Sequence, residues 1–479
     1  MKKIFALVIL LTIHCSLFII HCNAQLFGMT NAGGTNNLGV IYKINLDGTG
    51  YQVFHNFDSA TGSQPYGGLS YFKPGIMYGV TAYGGDSNRG VVFKFDTVGN
   101  NYQKLFDYKD NATGYNCFGS MVMTDYGYYI GMTAFGGHFD QYTEYGYGVI
   151  FAFDPMSDSC ANIFNFDGGW WGNPFGDIIS ASDGMLYGMT YYGGLGNSDG
   201  QVFSLNLHTN IITPICSMGN NNYYYQYPKG TPLMANDNRL YCMASGIFYL
   251  DSSNALHTPP YYCGGNDWGG MIQANDGLIY GYSGYGCGIW GIDPSTDNCI
   301  TYNQTYPAIP IGTPFQASNN KIYGITINGG AYNYGRIFYY DNISNNITYI
   351  HDFDSINGGF TYTNNHPDND WTFPKGNLME LRADAGINQL NKPNSTIVNI
   401  SPNPFSYSTE INIKSDIYIR SGSIEIYDIT GREVSSLQGI NGTNSQLTLF
   451  RNQLESGMYF YKLVQNNSEI LANGKLIIE

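Results

Sequence analysis

Basic residues are scarce in this chain. Its 479 residues hold 21 Lys and Arg against 36 Asp and Glu, a formal net charge of −15. A phosphate backbone is held by Lys and Arg, and no basic cluster occurs, so nucleic acid is not an expected partner. Glutamate is nearly missing from residues 25–381, which hold Glu144 and Glu380 beside 25 aspartates. Helix formers thus give way to turn formers, and no segment of that region shows a helical apolar period. Long apolar runs end at Ile20, leaving no later stretch able to span a bilayer. Metal spacing is also missing. His55, His138, His208, His257, His351 and His366 form no H-E-x-x-H pattern, and no C-x-x-C occurs. The Gly-rich loops lack the Lys-Ser/Thr partner and following helix of a phosphate cradle. Neither a metal nor a cofactor is expected.

What is present begins with an export signal. Lys2 and Lys3, an apolar core over residues 4–20 and the exit Cys22-Asn23-Ala24 read as a signal peptide over residues 1–24, cleaved before Gln25. No stable membrane span is expected after cleavage. Seven cysteines remain in the processed chain, an odd number, so at least one is unpaired. Cys287 and Cys299 flank one expected hairpin and could pair, although their offsets from its turn differ. Most of the seven read as small buried residues.

One phrase then recurs seven times: LFGMTNAGG (residues 26–34), MYGVTAYGG (77–85), YIGMTAFGG (129–137), LYGMTYYGG (186–194), LYCMASG (240–246), IYGYSGYG (279–286) and IYGITINGG (322–330). A period of roughly 40–57 residues signals a propeller or a solenoid. Each unit holds four short stretches with period-two alternation, as in GVVFKF (90–95), joined by Asp-Gly or Asp-Pro turns. Four-stranded units repeated radially make a β-propeller. The ends favour a ring. The first unit starts on its second strand, and the missing first strand stands at the far end, where Pro374-Lys375-Gly376 matches Pro228-Lys229-Gly230 and Pro174-Phe175-Gly176. A solenoid would carry capping repeats instead. Seven first strands predict seven blades, with residues 374–381 paired beside residues 26–30.

The YGxTxxGG and GxVFKF strings resemble the GloVer tandem-repeat family of exported bacterial proteins. That resemblance implies no chemistry. Residues 382–396 are polar and aperiodic and read as a linker. Residues 397–479 alternate as a small Ig-like β-sandwich. Their blocks SPNPF (401–405), IEIYDITGREV (424–434), LESGMYFYKL (454–463) and GKLIIE (474–479) resemble the type A C-terminal sorting domain of the type IX secretion system. That resemblance implies that the type IX machinery is a partner and that the protein crosses both membranes, to be secreted or held at the cell surface.

The expected architecture is therefore all-β: a seven-bladed propeller over residues 25–381, closed by its C-terminal strand, then the linker and the sandwich. Strands within a blade alternate direction. Loops after second and fourth strands must share one face of the disc. Trp170, Trp171, His138, Tyr192 and Trp371 fall in those loops and are the candidate ligand-binding residues, since exposed aromatics stack on sugars and loops on rigid scaffolds carry function. Phe-Asp recurs after fourth strands, at Phe57-Asp58, Phe106-Asp107, Phe166-Asp167 and Phe353-Asp354. The pairs read as turn caps with an interblade Phe, or as a ring of carboxylates for acid–base work. Asp-Ser-Ala (58–60), Asp-Thr-Val (96–98) and Asp-Ser-Ile (354–356) resemble bacterial O-glycosylation tripeptides. The expected function is a non-catalytic exported propeller that binds a glycan or a protein. A polysaccharide hydrolase or lyase, and a structural surface protein, are the alternatives.

Overall fold

A computed structural model describes residues 24–478, apart from 74, 99–100, 110, 125, 141–142, 169–170, 195–198, 219–226, 245, 260–268, 284–287, 302–307, 361–375, 382–396, 429–431, 452–453 and 466–468. Among the described residues there is no helix, and hence none long and apolar enough to cross a membrane. The chain forms two compact units, a propeller and a tail sheet.

Seven four-stranded sheets make the propeller. Blade 1 joins Gln25–Thr30, Val40–Asn45 and Gln52–Asn56 to a strand from the far end, Met379–Leu381. The closing pairs are antiparallel: Gln25 faces Leu381, Leu26 faces Glu380 and Phe27 faces Met379. The ring closes as the missing first strand requires, and pairing begins at Met379; residues 374–375 lie outside the described residues. The other blades follow in order, as in blade 2 with Ser70–Lys73, Ile76–Val80, Val91–Asp96 and Tyr102–Asp107.

Both faces of a blade are buried, because its neighbours stand on either side. Leu26, Val40 and Tyr42 turn toward blade 7, packing with Tyr323, Ile325, Ile337 and Phe353. Their alternates Phe27, Met29 and Ile41 turn toward blade 2, packing with Met77, Val91, Phe93 and Phe95. Period-two alternation here separates two interblade cores. The motif glycine has a packing cause. The ring of Phe93 lies over Gly79, Phe151 over Gly131 and Phe203 over Gly188, where a Cβ would collide. In blade 5 Cys242 takes the glycine's place opposite Phe248, and both are fully buried.

The tail is one five-stranded sheet. Two long strands, Ser408–Tyr427 and Glu433–Phe450, pair along their length. Their register shifts between Lys414 and Ile419 and again around Gly422, where the paired strands bend. Ile397–Ser401 flanks one end of the first long strand, while Gly457–Gln465 and Glu469–Ile478 extend the other. A bridge from Phe405 to Ile478 nearly closes the sheet. Phe405, Ile411, Ile424, Leu463 and Ile478 fill its interior.

Candidate functional site

Loops after second and fourth strands do share a face, because they touch. Tyr83, after the second strand of blade 2, bridges Ser63, in the loop that enters that blade. Phe135 bridges Tyr115 in the same way, and Ala32 bridges Gly359. The recurring motif builds this contact from within. Thr81, fully buried, donates to the Tyr83 carbonyl at 2.8 Å and accepts from the Val91 N–H at 3.1 Å, tying the two arms of its loop. Thr30, Thr133 and Thr326 repeat both bonds. Gly33 and Gly84 hold φ of 75° and 78°, and their missing side chains admit the backbone of the entering loop. Asn37, Asn88 and Asn333, all left-handed, accept the N–H groups of Gly33, Gly84 and Gly329 at 2.9 Å. The motif therefore makes structure, not chemistry.

A collar surrounds the axis. Gly67, Gly119, Gly176, Gly230 and Gly269 each stand so close to the next blade's glycine carbonyl that no Cβ would fit. The following residues hand on hydrogen bonds around the ring. The Gly68 N–H donates to Ser120 Oγ at 2.7 Å, the Ser120 N–H to Asp177 Oδ1 at 2.6 Å and the Asp177 N–H to Thr231 Oγ1 at 3.3 Å. On the far side the Thr313 N–H donates to Asn377 Oδ1 at 2.9 Å. Asn377 Nδ2 reaches Ser120 Oγ and Asp177 Oδ2, both at 3.4 Å. Asp177 is buried, and it links Ser120, Thr231 and Asn377 of three other blades. The sequence carried this signal in the matching Pro-x-Gly strings, but the glycines' neighbours lie on other blades.

Above the collar runs a chain of aromatic contacts. Tyr66 meets Phe118 at 5.1 Å, Phe118 meets Phe175 at 5.6 Å and Phe175 meets Tyr191 at 5.3 Å. Among the described residues it reaches solvent in two places. Tyr145 packs on Phe135 and is 44% exposed. Tyr227 packs on Tyr191 and is 37% exposed. Of the expected site residues, the structure brings together Trp171 and Tyr192, whose backbones form the two-stranded ribbon Trp171–Gly172 with Tyr192–Gly193. Tyr192 is half-buried and stands edge-on to Tyr191 at 4.6 Å. His138 is exposed on the blade 3 loop. Trp170 and Trp371 lie outside the described residues. Tyr227 and Tyr191 were not among the expected residues.

The Phe-Asp pairs divide into two registers. The N–H groups of Phe57, Tyr108, Phe166, Met218 and Phe353 bond the glycine carbonyls of residues 39, 90, 148, 200 and 335, so these five positions are equivalent. Phe106 is therefore out of step, and Asp107 matches Asn56 and Asp352. Those three side chains accept the N–H just after the paired glycines, at Asp86, Thr35 and Ala331. Asp58 and Asp354 instead cap their own turns, at the N–H groups of Ala60, Thr61, Ile356 and Asn357. These caps hold both carboxyls below their ordinary range, against the desolvation that opposes them. A G-x-S-x-G string does occur at residues 196–200, but it leads into the strand Gln201–Asn206, whereas a nucleophile elbow leads into a helix. Among the described residues no group of three or more His, Cys, Asp or Glu is placed to hold a metal ion. Cys299 is disulfide-bonded, with Cys263 and Cys287 outside the described residues; Cys117, Cys160, Cys216 and Cys242 carry no disulfide.

Solved structures resemble the propeller. A candidate 6-phosphogluconolactonase of Bacteroides uniformis superposes with a TM-score of 0.50 at 11% identity, covering 75% of this chain and 99% of that one. A second, of Bacteroides fragilis, gives 0.47 at 12% identity, with 75% and 98% covered. Virginiamycin B lyase of Staphylococcus aureus gives 0.45 at 13% identity, with 67% and 95% covered. At identities this low only the first, with its TM-score of 0.50, speaks for the fold, and for nothing beyond it. No curated protein matches the chain in sequence. Two family models do match, the Gloeobacter/Verrucomicrobia repeat over residues 16–249 and the secretion system C-terminal sorting domain over residues 399–479. The repeat match stops before the phrases at residues 279 and 322, although the blades continue through them. The tail implies the type IX secretion system as a partner and export to the surface or the medium. Residues 16–249 thus carry the Gloeobacter/Verrucomicrobia repeat and residues 399–479 a secretion sorting domain, which makes this an exported repeat propeller.

Proposed function

We propose that this protein is a non-catalytic binding propeller, exported through a cleaved signal over residues 1–24 and the C-terminal tail, which holds a glycan or protein ligand on its loop face. The aromatic chain that opens at Tyr145 and at Tyr192–Tyr227 carries the reading. Rigid aromatic rings supply contact area at little entropic cost, and motif threonines brace the loops beneath them, Thr133 below Phe135 and Thr190 at the Tyr192 carbonyl. A hydrolase would need two convergent carboxylates about 5–10 Å apart. Asp58, Asp107, Asp352 and Asp354 instead cap turns and loops, and where Asp86 and Asp107 converge, Lys104 stands between them as their common ion-pair partner.

The test has two arms. A fusion of residues 382–479 to an unrelated exported reporter, in a cell with type IX machinery, is expected at the surface or in the medium. The purified protein is expected to bind on a glycan array or to adhere to host or bacterial surfaces. A reporter left in the periplasm overturns the delivery; blank results in both binding assays overturn the ligand.

A further inference from the structure

Four loops that enter a blade share a pattern: a left-handed residue, then Pro or Cys, then an aromatic or Lys, then the collar glycine. They are Gln64-Pro65-Tyr66-Gly67, Asn116-Cys117-Phe118-Gly119, Asn173-Pro174-Phe175-Gly176 and Tyr227-Pro228-Lys229-Gly230. The first residues hold φ of 49°, 54°, 54° and 55°. Asparagine suits this position, since its amide can bond locally. Asn116 Nδ2 donates to the Ala82 carbonyl at 2.7 Å, and Asn173 Nδ2 to the Ala134 carbonyl at 2.8 Å. Tyrosine has no such amide, and a bulky side chain held at positive φ costs about 1–3 kcal/mol. The backbone is nonetheless pinned alike in both: the N–H of Asn173 donates to the Tyr147 carbonyl and that of Tyr227 to the Asp199 carbonyl, each at 2.7 Å. Strain kept where asparagine would relieve it calls for a use of the ring.

The ring helps to form a corner. Tyr227 lies 5.1 Å from Tyr191 at 32° and 6.1 Å from Tyr192 at 78°, while Tyr191 and Tyr192 are perpendicular at 89°. Tyr191 is the buried base, with Lys229 Nζ 4.9 Å over its ring. The Tyr227 hydroxyl is held by the buried Asp199 carboxylate. Two ring walls, Tyr227 and Tyr192 at 78°, thus meet over the buried Tyr191 ring, with Lys229 and Asp199 beside it.

We propose that the corner of Tyr191, Tyr192 and Tyr227 is a carbohydrate subsite that stacks one uncharged hexopyranose unit of a polysaccharide on Tyr227, against Tyr192. This rests on the loop-face reading and narrows it. The buried Lys229 ammonium and the buried Asp199 carboxylate both stand beside the corner, so neither sign of ligand charge is favoured there. The acidic propeller, with 27 Asp and Glu against 11 Lys and Arg over residues 25–381, disfavours an anionic glycan. Two part-exposed rings offer far less than the ~800 Å² per side that a stable protein partner needs. The flat apolar face of a pyranose fits one ring, and its edge hydroxyls reach the polar groups beside the corner.

The test uses the full chain on an array of neutral and acidic oligosaccharides, with titration calorimetry on any hit. Tyr227→Asn is expected to weaken binding of a neutral oligosaccharide by about tenfold or more and to raise the melting temperature by relieving the backbone. Tyr192→Ala is expected to weaken binding as well. A Tyr227→Asn protein that binds like the parent, or that melts lower, overturns the subsite and leaves the loop face standing. A parent that binds only acidic glycans, or no glycan while still adhering to a protein surface, also overturns the subsite alone.

Discussion

Blades 7, 1 and 2 differ from blades 4 and 5 in how their loops are held. In the first group the motif is complete. Asn333, Asn37 and Asn88 bond the paired glycines, while Asp352, Asn56 and Asp107 cap the residue that follows. These three blades also flank the seam where the ring closes. In blade 4 no asparagine plays that part among the described residues, and Ser217 Cβ stands against Gly194 where the carboxylate or amide would be. Blade 5 lacks the paired glycines altogether, pairing Ala244 directly with Gly246. The strained Tyr227 stands between these two blades. Repetition in this chain therefore marks what holds the ring, and departure from it marks where a ligand is proposed.

The largest effect is expected at the seam. Deleting residues 373–381 removes the Met379–Leu381 ladder and takes Leu378, Met379 and Leu381 out of the cores on both sides of blade 1. Open strand edges and bare apolar faces follow. The whole propeller is expected to lose its cooperative melt by circular dichroism, whereas deleting residues 397–479 is expected to preserve it. If the seam deletion melts like the parent, the closing sector is no more essential than the rest, and the comparison fails at its root.

A smaller loss is expected from the motif threonine. Thr81→Val keeps the shape but removes both bonds of a fully buried hydroxyl, leaving the Val91 N–H without its acceptor. The cost is about 1–3 kcal/mol. Thr81→Val and Thr326→Val should lower the chemical-denaturation midpoint without touching ligand binding. Tyr227→Asn should do the reverse on both counts. Equal effects from both kinds of change would erase the distinction between lock and site.

Much of this was legible in the sequence. The unpaired second strand at Leu26 and the stray Pro-Lys-Gly at residue 374 announced a closed ring, and the ladder at Met379 agrees. The tail's blocks fixed its strands less well. Short alternating blocks merge into two long bent strands, because a register shift absorbs what would otherwise be a turn. The Phe-Asp pairs misled for a simple reason. Phe106 and Tyr108 are both aromatic and two residues apart, so alternation cannot tell which one is equivalent to Phe57. The collar was hidden because each glycine's crowding comes from another blade. Tyr227 could have been found: aligning its loop with Asn173-Pro174-Phe175-Gly176 puts a tyrosine where asparagine belongs.

The finest distinction between the sectors is their response to acid. His351 of blade 7 stacks on Tyr51 of blade 1 at 3.8 Å and 11°, and His55 of blade 1 stacks on Tyr102 of blade 2 at 3.8 Å and 4°. Both Nε2 atoms are buried without a hydrogen-bond partner. Burial lowers both imidazoles, His55 to about 4, against the pull of Asp58 on His55 and of Asp352 and Asp354 on His351. A base whose folded pKa lies below its unfolded value of 6.5 binds more protons unfolded. Its stabilising effect is complete above pH ~6.5 and is lost as the pH falls toward ~4. The capped carboxyls Asp58, Asp352 and Asp354, also lowered, act in a separate window, since their contribution is lost only below the ordinary carboxyl range near 3.8. Between about pH 7 and about pH 4.5 the histidines should therefore dominate. Hydrogen exchange is expected to quicken first in Gln52–Asn56 and Asn346–Asp352, with Ile211–Ser217 of blade 4 unchanged. His55→Phe with His351→Phe keeps the stacked rings and should flatten the melting temperature over that range. A double variant as acid-sensitive as the parent would place the titration elsewhere and remove this difference between the sectors.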